Sequence, residues 1–147
     1  MLAKAHKSRP SQANLRRAAS TTYYALFHCL ARSCADLLLG GAGASKGKKA
    51  WSQTYRALNH KPAKDACLKA AKNKDLKFPS EIKDFANAFV TMQEKRHDAD
   101  YDPEDKLTKS EVLQDIFISK QAIKDFMKAP TKDRRAFCVW ILFKDRS

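Results

Sequence analysis

The longest unbroken pattern in the chain is helical. Pro10-Ser11 reads as a helix start with Ser11 as N-cap, and nothing interrupts the run until Gly40-Gly41-Ala42-Gly43 stops it after Leu39. Within it Leu15, Ala19, Thr22, Leu26, Leu30, Ser33 and Leu37 recur at steps of three and four, and Tyr23, Phe27, Cys34 and Leu38 widen the stripe. A stripe this broad predicts a largely buried helix. Residues 51–60 and 63–71 read as two shorter helices divided at Lys61-Pro62, with a polar connection after them. Pro79-Ser80-Glu81 opens a further helix with Ile82, Phe85, Phe89 and Met92 on one face. It must stop by Asp102-Pro103, because the residue before proline is biased away from helix.

Thr108 or Ser110 caps the next helix, whose expected core positions are Val112, Leu113, Ile116, Phe117, Ala122, Ile123, Phe126 and Met127. Ala129-Pro130 ends it. Thr131 then caps a short terminal helix carrying Phe137, Val139, Trp140, Leu142 and Phe143. No segment alternates long enough to build a sheet, and no internal repeat is visible. The expectation is an all-α protein, an antiparallel four- to five-helix bundle. It forms one domain over residues 1–147, with its core over about 11–128 and a short C-terminal helix at 131–145.

Composition agrees with helices: apolar residues make up 44% of the 147, while Gly (4) and Pro (5) are scarce. Charge adds more. The net charge is +13, and residues 1–56 carry ten Lys and Arg against the single acid Asp36, so most of the excess lies in the N-terminal third. Such a one-sided field attracts polyanions, chiefly nucleic acid, and also acidic protein surfaces or anionic membranes. Cys29, Cys34, Cys67 and Cys138 make no C-x-x-C pair and no zinc spacing, which predicts free thiols in a reducing cytoplasm. No secretory h-region and no apolar run of membrane-spanning length is present, so no membrane association is expected.

The first helix also carries a polar minority face. Arg17, Thr21, Tyr24, His28 and Arg32 follow at spacings of four, three, four and four, and so line one side. Two accounts fit: the solvated edge of a bundle helix, or the lining of a cleft or subunit interface.

Two segments resemble the HEPN superfamily of small helical-bundle proteins. The first, Arg17-Ala18-Ala19-Ser20-Thr21-Thr22-Tyr23-Tyr24-Ala25-Leu26-Phe27-His28, is similar to that family's first long helix. The second, Arg96-His97-Asp98-Ala99-Asp100-Tyr101, is similar to the R-x-x-A-D-Y of one of its branches. The resemblance implies a helical bundle, usually a homodimer, with the arginine motifs of two subunits facing a shared cleft. It also implies RNA as the target. Many members are toxin-like, metal-independent ribonucleases that need no cofactor and use the ribose 2′-hydroxyl as nucleophile. Some are paired with a nucleotidyltransferase antitoxin. Others are non-catalytic modules that bind a nucleotide or a nucleotidyltransferase-type partner.

Carried over, Arg96 is the catalytic arginine, whose planar cationic fork suits a phosphate. The family's nuclease pattern places a histidine five to seven residues later, and here those positions are Tyr101, Asp102 and Pro103. The candidates for the missing proton carrier are Tyr101, His97 and His28, with Asp100 supporting the motif. Nucleic-acid contacts are expected from Arg17, Tyr24 and Arg32, and from Lys46, Lys48 and Lys49 in a basic loop. Trp51 either stacks on a base or packs against the first helix. The alternative for the motif is a helix-terminating network: Arg96 paired with Asp100, Asp98 or Asp102 capping, and Tyr101 packed on the core. Asp98-x-Asp100-x-Asp102 begins like a calcium loop, but Pro103 and Lys109 stand where that loop needs Gly and Glu, so no metal site is expected.

Overall fold

The computed structural model describes residues 10–40 and 47–144. They form six helices: α1 (Gln12–Leu39), α2 (Lys48–Ala57), α3 (His60–Lys72), α4 (Ser80–Tyr101), α5 (Lys109–Lys128) and α6 (Thr131–Leu142). A 3-10 turn at Lys74–Leu76 joins α3 to α4, and no strand occurs among the described residues.

The helix ends are set by local chemistry. Ser11 Oγ accepts the N–H of Asn14 at 3.1 Å, and Thr108 Oγ1 accepts that of Glu111 at 3.1 Å, so each cap satisfies a first-turn donor. Gly40 ends α1 in the left-handed conformation, with φ at 82°, where its N–H bonds the Asp36 carbonyl. A Cβ there would meet nothing within 4 Å, so it is the backbone angle and not space that favours glycine. Between α2 and α3 the break falls at Leu58-Asn59 and not at Lys61-Pro62. Pro62 lies in the first turn of α3, where a missing N–H costs no intrahelical bond. Thr131 is likewise the first residue of α6 and not its cap; Pro130 precedes it in extended backbone.

α1 and α4 pack against each other along the middle of the molecule. α2 lies on α1, α3 lies on α4, and α5 packs across both α1 and α4. Tyr23, Leu26 and Leu30 of α1 are fully buried against Ile82, Phe85 and Phe89 of α4 and Phe126 of α5. α6 closes the end of this core. Its Phe137 is fully buried and meets Phe85 edge-on at 6.4 Å, and Trp140 Nε1 donates to the Ala66 carbonyl at 2.9 Å. Cys34, Cys67 and Cys138 are buried in the same core. The six helices are the six helical segments that the pattern marks, so the bundle has more members than the four to five expected, and α6 is part of the packed unit. Among the described residues no helix is long and apolar enough to cross a membrane.

One expected core is corrected. On α5, Val112, Ala122 and Phe126 are buried, but Leu113, Phe117 and Met127 are exposed, Phe117 by 70%. Adjacent residues sit about 100° apart on a helix, and the face that α5 turns to α1 and α4 leaves these three on its outer side. On α6 Val139 is exposed, as is Phe143 in the extended backbone just past its end, while Phe137, Cys138 and Ile141 fill the core.

Candidate functional site

The last turns of α4, which carry Arg96–Tyr101, are held by the first turns of α1. The Arg16 guanidinium donates to the carbonyls of Ala99 and Asp105 and, at 3.1 Å, to that of Asp102, and so satisfies acceptors that a helix end leaves open. Gln12 pairs with the Leu107 backbone in both directions, at 2.7 and 2.9 Å. Asp102 closes a short turn by accepting the Glu104 N–H at 2.9 Å. Ala99 is buried beneath this network, which fixes the rotation of α4 and therefore the face on which Arg96 stands.

Arg96 points towards α1. Its Nη2 donates to the Tyr24 hydroxyl at 3.1 Å, and its Nε lies 3.0 Å from Asp100 Oδ2, one turn along α4. Ser20 of α1 reaches the other Asp100 oxygen at 3.3 Å. The guanidinium carbon stands 5.3 Å from the Tyr24 ring centroid and 5.8 Å from that of Tyr23, within cation–π range of both. The Arg96 side chain keeps 20% exposure, so an oriented cation still reaches solvent.

The neighbour that sequence reasoning missed is His60, the first residue of α3. Its ring stacks on Phe27 at 4.3 Å and shares a 2.6 Å hydrogen bond between Nδ1 and the Tyr23 hydroxyl. Gln93 Nε2 of α4 donates to its backbone carbonyl at 3.0 Å. Burial first, then the positive charge of Arg96, then His28, lower the His60 pKa from its ordinary value, so the ring is neutral at pH 7. Burial also pushes the Tyr23 hydroxyl well above the usual tyrosine range, against the opposing pull of Arg96, and keeps it a neutral phenol. No local signal marked His60. It sits in a polar stretch about 36 residues before Arg96, and only the docking of α3 on α4 brings the two together.

His28 belongs to the same cluster. It stacks on Tyr24 at 6.0 Å, and its Nδ1 shares a 2.6 Å hydrogen bond with Tyr55 of α2. Tyr55 in turn stacks on Trp51 at 5.3 Å, and Trp51 Nε1 donates to Asp36 at 2.8 Å, so Trp51 packs against α1. An aromatic track thus runs from Trp51 through Tyr55, His28 and Tyr24 to Arg96.

The other expected site residues divide. Lys48 and Lys49 are exposed in the first turn of α2 and not in a loop, while Lys46 lies outside the described residues. Arg32 is exposed on α1, one turn beyond His28. Arg17 and Thr21 leave the cluster, because they line a groove between α1 and α5 instead. The five-residue face of α1 is therefore split between two sides of the helix. The His97 and Tyr101 rings meet at 4.9 Å with their planes tilted by 48° on the outer surface of α4, and Tyr101, 69% exposed, does not pack on the core. Arg96–Asp100 and the Asp102 turn of the helix-terminating network are both present. Among the described residues no three His, Cys, Asp or Glu side chains converge as metal ligands do.

The arrangement can hold an anion at the exposed part of Arg96 and exchange a proton with an imidazole beside it. No protein-family model, curated protein or solved structure matches the chain.

Proposed function

We propose that the chain is a HEPN-type domain that acts on RNA as a metal-independent endoribonuclease. The observation that carries this reading is the oriented Arg96 guanidinium with a neutral His60 imidazole beside it, both packed on the Tyr23–Tyr24 pair. In this reading Arg96 contacts the scissile phosphate and stabilises the charge that grows on its oxygens. His60, with its Nδ1 proton given to the Tyr23 oxygen, takes the 2′-hydroxyl proton on Nε2. The 2′-oxygen forms a bond to phosphorus as the bond to the 5′-oxygen breaks, and His28, taking part in the step as the imidazolium, donates a proton to that leaving oxygen. His60 thereby fills the role for which the chain has no histidine at 101–103. The basic N-terminal third supplies the attraction for the RNA backbone. The reading also carries a pairing of two such domains.

The test is cleavage of mixed cellular RNA in EDTA by the wild type and by Arg96→Ala, His60→Gln, His28→Ala, His97→Ala and Tyr101→Phe. Loss in the first three with retention in the last two supports the assignment. RNA or nucleotide binding without turnover in any form would make the chain a non-catalytic HEPN module. The natural ligand would then be a nucleotide or a nucleotidyltransferase-type partner.

A further inference from the structure

A second surface lies between α4 and α5 and shares no lining residue with the Arg96 cluster. α5 stands there as an apolar ridge, with Leu113 and Phe117 exposed by 55 and 70% and Ile118 beside them. Between α4 and α5 runs a groove of about 410 Å³, floored by Met92 and Ala122 and walled by Phe117 and Ile118. It extends from Asp115 to Asp125 along α5, about 15 Å at the helical rise, long enough for some three turns of a docked helix.

Its rim is acidic on a protein that is otherwise strongly basic. Asp84 and Asp125 line it from opposite helices, and Asp115 lies at one end with Glu111 a turn beyond. Among the described residues the only cation within ion-pair distance of these four carboxylates is Lys95, 2.8 Å from Asp115 and 3.3 Å from Glu111, while Asp125 accepts from Gln121 Nε2 at 3.0 Å. Burial pulls the Lys95 pKa down, but its bonds to Asp115 and Glu111 outweigh that and raise it, so the pair is already satisfied. No Lys or Arg lines the groove itself. The parallel groove between α1 and α5 differs, because Arg17 and Lys120 line it.

We infer that the α4–α5 groove docks a cationic amphipathic helix of a partner protein. An apolar floor takes residues at helical spacing, and the acidic rim takes lysines or arginines flanking them. The rim excludes nucleic acid by charge. The chain's own basic helix α2 is committed to α1 through Trp51 and Tyr55, so it does not supply the occupant. The inference does not depend on the RNA reading, which concerns other residues.

The probe is a capped 14-residue peptide with leucine at i, i+3, i+4 and i+7 and lysine on the flanks, titrated by fluorescence anisotropy into the full chain. Saturable one-to-one binding is expected, with a dissociation constant on the order of 10 µM. It should weaken at least about tenfold in Phe117→Ser and in the double variant Asp84→Lys, Asp125→Lys, roughly the scale of one lost interface contact. These side chains are solvent-facing, and circular dichroism verifies that both variants keep the wild-type fold. The same peptide with glutamate for lysine should not bind. The inference is overturned if binding is not saturable, if both variants bind as the wild type does, or if a short single-stranded RNA displaces the peptide. It is overturned equally if the wild type sediments as a dimer that Phe117→Ser splits, since a second copy would then be the occupant.

Discussion

Replacing Tyr24 by Phe removes one oxygen and leaves the ring. The Arg96 Nη2 donor at 3.1 Å loses its acceptor, while the ring face 5.3 Å from the guanidinium stays in place. Hydrogen bonds to charged groups contribute about 1.5–3 kcal/mol net, and the 20% exposure of Arg96 lets water replace part of what is lost. The lower end applies, about 1.5 kcal/mol. For a chain of this size that corresponds to a fall in melting temperature of about 5 °C, with an unchanged urea m-value. The assay is urea and thermal unfolding of four proteins: wild type, Tyr24→Phe, Arg96→Met and the double variant. In the Arg96→Met background the donor is gone, so the tyrosine change should cost less than about 0.5 kcal/mol, leaving a coupling of about 1 kcal/mol. RNA cleavage should fall in Tyr24→Phe as well, because an untethered guanidinium spends less time oriented towards phosphate. A coupling of zero would refute the account, since Arg96 would then be held by Asp100 alone.

Two further outcomes follow from the same geometry. The folded-state pKa of His60 is lowered, so the folded chain binds a proton there less readily than the unfolded chain. Its contribution to stability is full above the unfolded value of about 6.5 and is lost as pH falls through the folded value; urea midpoints should drop over that interval in the wild type and less in His60→Gln. Arg16→Ala leaves the carbonyls of Ala99, Asp102 and Asp105 without their donor. It should cost about 2 kcal/mol and speed amide exchange over residues 98–107 while leaving α3 unaffected, as read by hydrogen exchange.

The helices of this chain are written in short-range terms. Ser11 and Thr108 cap because a side-chain oxygen reaches an N–H three residues on, and Gly40 stops α1 because it accepts a positive φ. The 3.6-residue period in the same way put Leu15, Leu26, Ile82, Phe85 and Phe89 on buried faces. The i,i+4 spacing of Arg96 and Asp100 likewise predicted their ion pair. Where the local pattern is degenerate it could not decide. Apolar pairs such as Val112-Leu113 and Phe126-Met127 satisfy the period either way, and only the position of α5 over α1 and α4 turned one member of each outward.

The site shows the same division. Arg96, Tyr24 and His28 were legible as motif residues, but Arg17 turned to the α5 groove and Tyr101 to solvent, because a helix face is divided by whichever neighbours pack beside it. His60 carried no pattern at all. Its ring came near Arg96 through the burial of Ala63, Cys67 and Ala70, which seats α3 on α4 and brings its first residue against Phe27 and Tyr23. Periodicity and capping act over a few residues and are readable in the chain. The meeting of His60 with Arg96 depends on how whole apolar faces bury one another across the molecule, and that was decided only in the folded structure.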